Sequence, residues 1–202
     1  GHVTGNDYDG IYAYNGDGTT SLTISAATVT GGYNGIAAEN NGTAGLSVTV
    51  SGDVTGNGGD GIYTFNSAND VSASTVINQA AGTTTTGYYD GIYAINHGGS
   101  LKIEALGTSL GTVYHGVHGT NGSYFIPTTA TDLTITSNNA EGGEAGIYAE
   151  NFGSGALTIT STGQATGHNA AVVPFYANLY AGITAYNSYY GTSLTIQSNN
   201  AQ

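Results

Sequence analysis

Cysteine, methionine, tryptophan and arginine are absent from this chain of 202 residues; lysine occurs once, as Lys102, and proline twice, as Pro127 and Pro174. Without cysteine there is neither a disulfide scaffold nor a thiolate metal site, and thiols carry no information about the redox compartment. A single cationic side chain against 13 acidic ones leaves a net charge of −12. That sign repels phosphate backbones and anionic lipid surfaces, so nucleic acid is excluded as an expected partner. No run of 18 apolar residues and no basic segment leading into an apolar one is present, so neither membrane insertion nor a signal peptide is expected, and the chain reads as a mature segment. Trypsin-like proteases find almost no cleavage site, which suits a chain working at the cell surface or outside the cell.

Glycine is abundant, at 34 residues, without a G-X-Y period, which excludes collagen, while regular apolar alternation argues against disorder. The segment G-I-Y-A-Y-N at Gly10 returns as G-I-A-A-E-N at Gly35, G-I-Y-T-F-N at Gly61, G-I-Y-A-I-N at Gly91, G-V-H-G-T-N at Gly116, G-I-Y-A-E-N at Gly146 and G-I-T-A-Y-N at Gly182. Spacings of 25 to 36 residues mark a solenoid, in which one repeat buries its apolar face only when a neighbour stacks on it.

Each copy is followed by a second run with a period of two: Leu22–Ser25, Leu46–Val50, Val71–Val76, Leu101–Ala105, Leu133–Thr136, Leu157–Thr160 and Leu194–Gln197. Alternation of Leu, Ile or Val with Thr or Ser is the pattern of a half-buried strand. A third run, such as Val29-Thr30-Gly31 or Val54-Thr55-Gly56, completes most repeats, with turn pairs such as Asp17-Gly18 and Asn41-Gly42 between runs. These repeats leave no room for crossover helices, so each strand must pair with its own counterpart one repeat later. The expected fold is all-β: a single-stranded right-handed parallel β-helix of about seven coils, continuous over residues 1–202 and cut from a longer repeat array or fibre.

Alternation turns motif positions two and four inward and position three outward. The closing asparagines, Asn15, Asn40, Asn66, Asn96, Asn121, Asn151 and Asn187, are expected to stack as a structural ladder of side-chain amides. Position three supplies an outward aromatic strip of Tyr12, Tyr63, Tyr93 and Tyr148, within a total of 16 tyrosines. Longer spacings locate insertions around Gln79–Thr86, Ser123–Thr131 and Asn169–Tyr180; the last two place Tyr124, Phe125, Phe175, Tyr176 and Tyr180 on loops fit for a specific contact.

No active site is expected. The acidic residues sit mostly in turn pairs, and five histidines show no H-E-x-x-H spacing, although His115 and His118 flank one strand. No cofactor is implied. Stacking would bring Asp60 and Asp90 to about 5 Å, where like charges raise a pKa or recruit a cation, so a weak Ca²⁺ site with oxygen ligands is the one metal expectation. Sequons at Asn41 and Asn121 permit glycosylation in a suitable host.

The G-I-Y-A-x-N copies, the L-T-I-T strands at Leu133 and Leu157 and the V-T-G run at Val54 resemble the parallel β-helix stalks of bacterial cell-surface proteins, in the style of autotransporter adhesin passengers and filamentous haemagglutinin. The resemblance implies an exported, elongated and non-enzymatic protein. The expected function is thus a structural segment of an extracellular filament or giant surface protein that propagates head to tail, covalently or as a fibre. The alternative is an adhesin that binds glycans or another cell through its tyrosine strip and aromatic loops. Joining Gln202 to Gly1 gives L-T-I-Q-S-N-N-A-Q-G-H-V-T-G and a motif spacing of 30 residues, already used twice inside the chain.

Overall fold

The computed structural model describes residues 1–125, 128–168 and 181–202 and is all-β, with no helix among the described residues. The seven motif strands, Ile11–Asn15, Ile36–Asn40, Ile62–Asn66, Ile92–Asn96, His115–Asn121, Ala145–Asn151 and Ala181–Asn187, form one seven-stranded parallel sheet in chain order. We call it the motif sheet. The remaining runs build an eleven-stranded parallel sheet. In its first three repeats the second and third runs are separate strands, for example Leu46–Val50 and Val54–Gly56; later they join as Gly98–Gly111, Thr129–Gly142 and Leu157–Gly167, with register shifts at the junction.

Register follows the repeat. Ile36 pairs with Ile62, Ile62 with Ile92, and Asn66 with Asn96; Leu101 pairs with Leu133, and Leu133 with Leu157. Like residues therefore form columns across each sheet. Inward-facing Ile36, Ile62, Ile92, Val117 and Ile147 meet Leu101, Ile103, Leu133, Ile135, Leu157 and Ile159, all fully buried between the sheets. The small residue at motif position four makes room for them: a Cβ on Gly119 would lie 3.2 Å from the Cδ1 atoms of both Ile103 and Ile135.

The invariant motif glycine has a steric cause. A Cβ on Gly61 would lie 2.5 Å from the carbonyl oxygen of Gly91, and one on Gly91 2.5 Å from that of Gly116. Successive repeats approach each other at this corner more closely than any side chain permits.

Two sequence expectations are corrected. The second run of the third repeat is Thr75–Gln79, not Val71–Val76, and Leu46, Val48 and Val50 pair with Thr75, Ile77 and Gln79. Asp70 accepts bonds from the backbone N–H and the hydroxyl of Ser72 at 2.8 and 2.6 Å, and Ala73 N–H bonds Asp70 O. This side-chain-capped turn removes Val71 from the sheet and leaves it exposed. Thr75 and Gln79 enter the interior because each finds a partner: Thr75 Oγ1 donates to Asn96 Oδ1 at 2.9 Å, and Gln79 Nε2 to Thr108 O at 2.9 Å. The insertion placed around Gln79–Thr86 accordingly lies in large part in the Ser67–Ser74 corner.

Candidate functional site

The asparagine column is a continuous hydrogen-bonded chain. Each Nδ2 donates to the Oδ1 of the next repeat, from Asn15 through Asn40, Asn66, Asn96, Asn121 and Asn151 to Asn187, at 2.7 to 3.1 Å. The second amide hydrogen of each interior member reaches a corner carbonyl, such as Ala44 O for Asn40 and Asp132 O for Asn121. Asn40, Asn66, Asn96, Asn121 and Asn151 are completely buried. The Asn121 amide, named above in a sequon, is thereby inaccessible in the folded chain. Asn41 is partly exposed, receiving Ser67 Oγ at 2.6 Å.

A second column stands just before the motif glycine. Asp9 Oδ1 accepts Asn34 N–H at 2.9 Å, Asn34 Oδ1 accepts Asp60 N–H at 2.8 Å, Asp60 Oδ1 accepts Asp90 N–H at 3.0 Å, and Asp90 Oδ1 accepts His115 N–H at 2.7 Å. These side chains clip each corner to the next. Burial pushes the Asp60 carboxyl up to about 7, with Asp90 adding repulsion against the lowering effect of the backbone bond, and pushes Asp90 up to about 6.

Motif position three faces away from the core but is not openly exposed along its length. Tyr12 is exposed, Ala37 is buried, and Tyr63, Tyr93, His118 and Tyr148 are half-buried. With the corner residues they line two separate groove segments on the outer face of the motif sheet. One stretch, about 350 Å³, lies among Asp9, Tyr12, Tyr33, Glu39, Asp60 and Tyr63. The other, about 480 Å³, lies among Asp90, Tyr93, Tyr114, His115, His118, Thr120, Glu144, Tyr148 and Glu150.

The second stretch holds the densest chemistry in the described residues. His118 stacks on Tyr93 with ring centroids 4.3 Å apart, His115 stacks on Tyr148 at 4.7 Å, and the two imidazoles meet edge to face at 4.9 Å. His118 Nδ1 is 3.7 Å from Asp90 Oδ2. Burial holds both imidazoles down at about 4, against the opposing pull of Asp90 on His115 and of Glu150 on His118. Tyr148 donates its hydroxyl proton to Glu150 at 2.9 Å, and burial together with that carboxylate raises its pKa beyond the ordinary phenol range.

Of the residues singled out from sequence, Asp90, His115 and His118 come together, while Asp60 lies one repeat away and contacts this group only through the Asp90 amide. Tyr124 and Phe125 are 74% and 90% exposed and form an aromatic cluster with Phe152, which in turn meets Tyr186. Phe175, Tyr176 and Tyr180 lie outside the described residues. The sequence reading missed Tyr114, Glu144 and Glu150. Aligning the copies column by column signals Glu150, which repeats the position of Glu39, and Tyr114, which repeats that of Tyr33 and Tyr89, whereas Glu144 breaks that tyrosine column.

Compared with family models, with curated proteins and with solved structures, the chain matches none.

Proposed function

We propose that the chain is a structural segment of an extracellular filament or giant surface protein, in which the two parallel sheets are the walls of one right-handed β-helix of about seven coils that continues head to tail by coil stacking. The right hand follows the general preference of parallel crossovers. One observation carries the reading. Both sheets repeat like on like in register, Ile36 on Ile62 and Ile62 on Ile92 in one, Leu101 on Leu133, Leu133 on Leu157 and Leu157 on Leu194 in the other. A strand that stacks on its own counterpart in this way is a template for a further coil, from the same polypeptide or from a second copy. The stalks of bacterial surface proteins that the repeats resemble supply the model for such a role, and no catalysis is assigned.

Light scattering on the fractionated chain over a concentration series tests this. End-to-end oligomers that grow with concentration and vanish in the Leu194→Asp, Ile196→Asp double variant are expected. Monomers at every concentration would refute it.

A second reading, glycan binding, is favoured by the groove, where tyrosine rings stand beside carboxylates, a composition suited to sugar faces and hydroxyls. A glycan array comparing the chain with its Tyr63→Ala, Tyr93→Ala and Tyr124→Ala, Phe125→Ala variants tests that reading, since a pure scaffold has no binding to lose.

A further inference from the structure

We propose that Asp90, His115 and His118 bind a transition-metal dication of the zinc class on the outer face of the motif sheet. One potential ligand atom from each of the three lies within 4.8 Å of the others. A tetrahedral zinc with bonds near 2.0 to 2.2 Å holds its ligand atoms roughly 3.3 to 3.6 Å apart, so the group closes on an ion through a contraction of at most about 1.5 Å, within reach of side-chain rotation. Two imidazole nitrogens and one carboxylate oxygen suit zinc, cobalt or copper rather than calcium, which takes six to eight oxygens.

The group is held in place before any ion arrives. Asp90 Oδ1 is occupied by the His115 amide at 2.7 Å, which leaves Oδ2 directed at His118 Nδ1. His118 Nε2 meets Thr120 Oγ1 at 3.3 Å, so the nitrogen facing Asp90 is the one left for a ligand bond. Such outer partners orient metal-binding imidazoles. Tyr93 and Tyr148 each stack flat on one of the two rings.

An independent observation points to a missing partner. His115 is only 7% exposed, and its Nδ1 has no hydrogen-bond partner among the described residues. A buried ring nitrogen left unpaired carries an uncompensated desolvation cost, and the scaffold does not require it. The same position in the other repeats is Asp9, Asn34, Asp60, Asp90, Ala145 or Ala181, and the position of His118 is elsewhere Tyr12, Ala37, Tyr63, Tyr93, Tyr148 or Thr184. Only one repeat carries histidine at both. The groove beside the group leaves room for a water as fourth ligand, and the carboxylates of Glu144 and Glu150 line it, adding negative charge.

Calorimetric titration of the chelator-treated full chain with ZnCl₂, and absorption spectroscopy with CoCl₂, test the proposal. One equivalent of Zn²⁺ per chain with a Kd below about 10 μM is expected, with intense cobalt d–d bands typical of low coordination number. His115→Asn and His118→Tyr place residues that the repeat already uses at these positions, so both variants should keep the fold, checked by circular dichroism. Each should weaken Zn²⁺ at least about 10-fold. Calcium should not compete. No saturable Zn²⁺ binding up to about 100 μM would overturn the proposal. So would affinity unchanged in the double variant, which would put the ion on an exposed pair such as His168 and Glu141, or equal displacement by Ca²⁺, which would favour Asp60 and Asp90 as the cation site. None of these outcomes depends on end-to-end assembly.

Discussion

Asn96 donates its amide hydrogen to Asn121 Oδ1 at 2.8 Å, while its own Oδ1 receives both the Asn66 amide and the Thr75 hydroxyl. Three neighbours in two other repeats thus depend on one side chain in a fully buried position. Removing it leaves donors and an acceptor unpaired where water cannot reach them, and the cost of unpaired groups exceeds the net worth of the bonds.

Asn96→Ala is therefore expected to lower stability by about 1 to 3 kcal/mol, measured by denaturant unfolding. Asn15→Ala, at the half-buried end of the chain of amides, should cost less. Equal losses at the two sites would argue against a buried cooperative ladder.

Gly91→Ala should be at least as damaging, because the added Cβ meets Gly116 O at 2.5 Å and Leu110 N at 2.8 Å, both backbone atoms that cannot turn aside. Overpacking of this kind costs roughly 1 to 3 kcal/mol or more. Gly16→Ala, whose nearest contact is the Tyr14 ring at 3.4 Å, serves as control and should shift the unfolding midpoint little.

Asp60 sets a pH dependence in the chelator-treated protein. Its folded pKa stands at about 7 against 3.8 for the free group, so between these values the folded state holds a proton that the unfolded state has released. Its contribution to stability is complete below pH 3.8 and falls as the pH rises towards 7. His115 and His118, depressed to about 4 from 6.5, act in the opposite sense, and Asp90, raised to about 6, acts with Asp60. Below pH 6 the two pairs largely cancel. Asp60→Asn keeps the oxygen that receives the Asp90 amide, as Asn34 does one repeat earlier. It should raise stability at pH 8 by roughly 1 to 3 kcal/mol and leave stability at pH 4 nearly unchanged. Thermal unfolding at the two pH values checks this, and a loss at pH 8 would contradict it.

The sheets were legible because a parallel stack repeats its chemistry. Gly, Ile, a small residue and Asn return at fixed positions, and each position is a column. Misreading came where local chemistry overrode the period: V-S-A-S-T-V alternates like a strand, but Asp70 captures Ser72 and turns the chain. The groove was less visible, since its walls combine corners and strand faces from successive repeats. His115 and His118 stand out at close spacing, whereas Asp90 joins them from 25 residues away, through the one-repeat offset that pairs its carboxylate with the His115 amide.

Coil stacking beyond the chain's own edges is the central claim, and electron microscopy of the concentrated protein tests it most directly. Unbranched filaments one solenoid wide, with a diffraction spacing near 4.8 Å along the axis, are expected. Only compact particles, roughly 30 to 35 Å along the stack, at every concentration would contradict it.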